Sequence, residues 1–161
     1  MLLGTVTTRR SSRQRGVVSA ELALVLPVLL LLLLGICEIG LLIADSLVLG
    51  NACREATRAA SMGRTTAEIR SVATGSLPAS IALTTEDITL ERRSLVSGVW
   101  GDWTTLGDNT SVGSNYNNAG AGNQIRVTLT YQHRLVTGLI LQAANQNGTL
   151  TLRTSMVMLR Y

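Results

Sequence analysis

Residues 15–44 read RGVVSAELALVLPVLLLLLLGICEIGLLIA, and the thirteen positions from Leu22 to Leu34 carry no polar side chain. A bilayer core of roughly 30 Å needs about 20 residues of helix at 1.5 Å rise each. Val17 to Ala44 supplies 28, so the stretch predicts a transmembrane helix. On its N-terminal side stand Arg9, Arg10, Arg13 and Arg15, with no acid among residues 1–16. The positive-inside rule then keeps that leader in the cytoplasm and carries the C-terminal body across the membrane. The expected topology is single-pass, N-terminus in, C-terminus out. A cleaved secretory signal shares the basic start and apolar core. Its core is normally about 7 to 15 residues, however, and the best small-residue cleavage candidate here, Ala44-Asp45-Ser46, is poor.

Outward from that segment, the whole chain of 161 residues has room for one modest folding unit and an accessory segment, which disfavours a multi-domain enzyme. Its 14 arginines exceed its 10 acids by four, and the leader holds all four of that excess. The basic balance is therefore a property of the tail. No nucleic-acid footprint is expected on a folded face. Hydrophobic residues make up 46%, yet aromatics only 3% and Phe is absent, so any core must be aliphatic and thin.

The junction Arg15-Gly16-Val17-Val18-Ser19-Ala20-Glu21 places a glycine after the basic tail and a lone carboxylate at the head of the apolar run. An ionisable residue there is costly unless paired, which makes Glu21 a functional candidate. The arrangement resembles the leader of type IV pilin-like proteins. That resemblance implies cleavage by a prepilin peptidase between Gly16 and Val17, on the cytoplasmic side, with the apolar helix retained. It further implies that Glu21 pairs with the new N-terminal amine of a neighbouring subunit during assembly. The continuation through Pro27 to Gly40, with the later run Asn51-Ala52-Cys53-Arg54-Glu55-Ala56-Thr57-Arg58-Ala59-Ala60, is similar to the N-terminal signature of TadE-like pseudopilins of the tight-adherence (Tad, or Flp) pilus system. It implies a minor pilin-like component that supports pilus biogenesis and adherence in the inner membrane. Its partners would be the peptidase and other pilin or pseudopilin subunits; no cofactor and no metal is implied.

Residues 17–63 are expected to form one extended helix of about 70 Å. Pro27 should kink it, which membrane helices tolerate. Gly40, Ala44, Ala52, Ala56 and Ala60 recur at the small-residue spacing that lets helices approach closely. For Ala52 to Ala60 an equal alternative is an alanine face against the protein's own sheet. Arg54, Glu55 and Arg58 read as a solvated face. Cys37 and Cys53 stand 16 residues apart, about 24 Å along one helix and far beyond disulfide reach within one chain.

Residues 64–161 read as a small exported domain. Thr65 is a candidate cap for a helix over Ala67–Ala73, ended by Gly75 with Pro78 beyond. Ile88–Val96 is a strand candidate. The alternation of Ile125, Val127, Leu129 and Tyr131 marks a half-buried strand, and Thr149–Tyr161 is a third. A helix followed by strands predicts an α+β fold, with a small antiparallel sheet packed on the long helix. Gly107–Gly122 should be a long loop. Its oxygen donors Asp108, Asn109, Asn115 and Asn117 raise calcium as a ligand, but a single carboxylate favours a plain surface loop. Leu135–Leu141 is a short apolar connection, too short to span. Trp100 and Trp103 are expected in the core or at a strand edge. His133 has no Ser and acid in a recognisable frame, and no phosphate or dinucleotide loop appears, so an enzyme is disfavoured. Besides the pilus component, two readings stay open: an unprocessed membrane-anchored binding protein, and a secreted domain released by signal peptidase.

Overall fold

The structure, a computed structural model, describes residues 11–111, 115–135 and 148–161, with backbone alone for 11–16. Two compact units divide at Gly40 and Leu41. Most of the connection at Leu135–Leu141 lies outside the described residues.

Helix α1 (Ser11–Ser61) continues through Pro27. From Val17 to Gly40 its large apolar side chains are exposed, with Leu24 at 77% and Val28 at 64%. Its stretch from Val17 onward is long and apolar enough to cross a membrane.

In the second unit one face of α1 becomes buried. Leu49, Ala52, Cys53, Ala56, Ala59 and Ala60 join a core with Ile69 and Ala73 of α2 (Thr66–Gly75), Ile88 and Leu90 of β1 (Ile88–Arg93), and Ile125, Val127 and Leu129 of β5 (Gln124–Arg134). The alanines carry so little bulk that the strands can approach the helix backbone closely. A thin core without Phe is thereby filled, each wholly buried aliphatic side chain contributing roughly 2 kcal/mol. Helix α2 begins as expected: Thr65 and Glu68 form a reciprocal capping box.

The sheet is antiparallel, in the order β4–β1–β5–β6, with β4 at Thr104–Thr105 and β6 at Thr149–Leu159. Its register pairs Ile88 with Leu129 and Val127 with Met156. The fold is α+β, as the sequence predicts. The Ile88–Val96 strand divides, however, because β2 (Leu95–Val96) leaves the main sheet to pair with β3 (Val99–Trp100). The cause is local: Ser97 and Gly98 both have positive φ, 52° and 82°, the tight hairpin geometry that turns the chain back at once.

Candidate functional site

The proposed processing and assembly residues all lie on α1. The Gly16–Val17 peptide is within the helix rather than in an extended segment. Val17 and Glu21 are exposed. Glu21 is the first acid in the chain and the only one before Glu38. Gly40 has open space where a side chain would stand, and Ala44 is exposed, so the surface at both is clear for a neighbour. Ala52, Ala56 and Ala60 are different. Each is fully buried in the chain's own core, beneath the sheet.

At its C-terminal end α1 is closed by residues remote in sequence. Gly63, at φ 88°, stops the helix: its N–H donates to Ala60 O at 2.9 Å and that of Arg64 to Ala59 O at 3.2 Å. This is the left-handed glycine cap that recovers carbonyls left without helical partners. Asn117 completes it. Its Nδ2 donates to Ala60 O and to Arg64 O, both at 2.9 Å, and its own backbone N–H to Gly63 O at 2.9 Å. Arg160 Nη1 donates to Ser61 O at 3.1 Å, bringing a cation to the negative end of the helix.

Those contacts revise the reading of the Gly107–Gly122 loop. Asp108 and Asn117 pair as a β-bridge, and Asn117 is buried, where a plain surface loop would leave it in water. Asp108 accepts from the Thr66 N–H at 2.6 Å and the Thr66 hydroxyl at 2.8 Å. The oxygen of Asn117 accepts from the Ala119 N–H at 3.2 Å. Two of the four suggested calcium donors are thus engaged in holding the loop to the two helices. Among the described residues no cluster of three or more His, Cys, Asp or Glu is placed to hold a metal ion.

His133 stands near the C-terminal end of β5. It is 5% exposed, with Nδ1 2.7 Å from Oδ2 of Asp45 on α1, and Tyr131 meets its ring edge-on. Burial, and then the charge of Asp45, push the Tyr131 phenol above the ordinary tyrosine value. Cys53 is buried and donates to Val127 O at 3.3 Å, while Cys37 is exposed; both are free thiols. Trp103 lies on the sheet face opposite the helix, stacked by Arg126 at 4.1 Å and Arg93 at 4.5 Å, with Arg126 also paired to Glu91 at 2.6 Å. Neither tryptophan joins the core: Trp100 stands in the short edge strand β3, with Arg93 5.2 Å from its ring, and Trp103 lies under the two arginines. No sequence pattern within either strand announces that stack.

A single long apolar helix and a small α+β body define a class of protein with one candidate membrane anchor. Within it, residues 16–58 match the family model described as TadE-like protein, about a quarter of the chain. The matched stretch runs from the glycine through Glu21 to Arg58, and it supports a role associated with Tad pili. Comparison with curated proteins and with solved structures gave no match.

Proposed function

We propose that this protein is a minor pilin-like (pseudopilin) component of Tad pilus assembly, structural rather than catalytic. The observation that carries the reading is the TadE-like match, which spans Gly16, Glu21 and the whole apolar stretch of α1. Residues 1–16 serve as a cytoplasmic leader, 17–63 as the anchoring and extended helix, and 64–161 as the exported body. A prepilin peptidase cuts between Gly16 and Val17 in the inner membrane. Because that bond is helical in the intact chain, cleavage requires local unwinding, which a glycine at the scissile position eases. The new amine of Val17, with an ordinary pKa near 8, then meets the Glu21 carboxylate of a neighbouring subunit. Lateral packing uses the open surface at Gly40 and Ala44.

The N-terminal mass of the chain from its native host tests processing directly. A mature start at Val17, blocked by Gly16→Val, is expected; an intact Met1 terminus in the presence of active peptidase would overturn the pilin reading. Assembly is tested separately with Glu21→Gln. That variant should insert and be cut, yet fail to restore piliation in a deletion strain, because one membrane charge is stranded without its partner. Full complementation at native expression would show that the carboxylate is no assembly contact.

A further inference from the structure

The two edges of the four-stranded sheet are built differently. On the β4 side the edge strand is two residues long, and the Ile88 carbonyl beyond it accepts from Arg70 Nη1 at 2.7 Å, which plugs the opening. On the other side β6 runs eleven residues, contains no proline and carries a single charge, Arg153. Among the described residues no strand pairs with its outer edge. Proteins ordinarily shorten, charge or cover such an edge, as the β4 side does.

The ladder shows which groups β6 presents. Leu135 N–H donates to Gly148 O at 3.0 Å and Arg160 N–H to Asn123 O at 2.8 Å, at the two ends of the β5–β6 pairing. Even-numbered residues of β6 therefore bond to β5. The odd-numbered Thr151, Arg153, Ser155 and Val157 turn their N–H and C=O outward. The even-numbered row faces the helix side, but Leu152, Met156 and Met158 remain half-buried and Leu150 is 41% exposed, whereas Ile125, Val127 and Leu129 on β5 are wholly buried. One more strand would complete their burial.

Charge distinguishes the occupant. The last acidic side chain in the sequence is Asp108, and residues 124–161 hold Arg126, His133, Arg134, Arg153 and Arg160 against none. Glu91 pairs with Arg126 and the end of α1 takes Arg160, leaving Arg134 and Arg153 exposed on the hairpin.

A symmetric second copy does not fit. Along α1, Asp45 meets His133 and Cys53 meets Val127, so β5 runs against the helix and β6 with it. Antiparallel pairing of β6 with its own copy would bring the unopposed arginines of two hairpins together, with no acid after Asp108 on either to offset them. A two-fold axis along the strands would set like-numbered residues at one height with their side chains on opposite faces, breaking the pleat.

We propose that the β6 edge receives an extended segment of another protein as an added antiparallel strand, with alternate apolar side chains over the Leu152–Met158 row and an acidic one facing Arg153. The inference needs the sheet but neither membrane anchoring nor leader cleavage, so its failure is distinguishable from that of the pilin reading.

The test uses the full chain in detergent micelles with two labelled eleven-residue peptides of alternating valine and threonine, one bearing a central glutamate and the other a lysine. The glutamate peptide should bind at least tenfold more tightly. Arg153→Glu should reverse that preference. Ser155→Pro should weaken binding at least tenfold without lowering the melting temperature, because it removes an outward N–H that makes no bond to β5. Equal binding of both peptides, binding indifferent to Ser155→Pro, or no binding by either would overturn the proposal. So would a disulfide-linked homodimer formed in native membranes by Val157→Cys in a Cys37→Ser background.

Discussion

Leu22, Leu26, Leu29 and Leu33 are all between 46% and 61% exposed, whereas Leu49, Ala52, Ala56 and Ala60, further along the same α1, are at most 1% exposed. Nothing in the helix backbone separates the two groups. The N-terminal stretch is apolar on every side, which suits a medium that wets it all round with hydrocarbon. The later stretch is apolar on one face and carries Asn51, Arg54, Glu55 and Arg58 on the other, which suits water on one side and a sheet on the other. Helix propensity alone cannot make that distinction. It lies in how the side chains are distributed around the helix, and it implies that substitutions of similar size have very different costs in the two stretches.

The sharpest way to break the comparison is to change the size of one side chain in each. Ala56→Leu forces extra methylenes under the sheet and should cost about 3 kcal/mol. Leu29→Ala, on the exposed stretch, should leave unfolding of the exported body within about 0.5 kcal/mol of wild type. Thermal melting of the full chain in detergent, followed by tryptophan signals from Trp100 and Trp103, measures both. Equal shifts would remove the distinction between the stretches.

Asn117→Ala comes next. It leaves two carbonyls, that of Ala60 in the last turn of α1 and that of Arg64 in the link to α2, without their side-chain donor and should cost about 2 kcal/mol in the same melt. A shift no larger than that of Asn109→Ala would show that the Asn117 cap contributes no stability of its own. Thr65→Ala removes the N-cap of α2 and should cost about 1 kcal/mol.

The smallest effect concerns pH. Tyr131 is held above the ordinary value first by burial and then by Asp45, so the fold favours the neutral phenol. Stability is unaffected by this group below the unfolded value of about 10 and falls as pH rises from there through the raised folded value. Tyr131→Phe should flatten the alkaline limb of a melting-temperature profile. An unchanged limb would show that other groups govern it.

Features with a local signal were legible from the chain. The anchor follows from an unbroken apolar run, the α2 cap from Thr65 ahead of Ala67–Ala73, and β5 from alternation over Ile125–Tyr131. The junction residues Gly16 and Glu21 were legible because basic tail, glycine, acid and apolar run lie within a few positions. Their chemistry with a peptidase or a neighbour is a matter for the experiments above.

Other features had no such signal. Asp45 and His133 are 88 positions apart, and Asn117 lies 57 from the Ala60 carbonyl that it satisfies. Read locally, Asn117 belongs to a polar loop and His133 to a strand end. A buried polar atom must find a partner, but sequence does not say which remote element will supply it. The alanine ladder Ala52–Ala56–Ala60 shows the same division within a single motif. Its spacing determined that something packs closely there; the tertiary structure decided that the partner is the chain's own sheet, because a small-residue face fits a strand layer as well as it fits another helix.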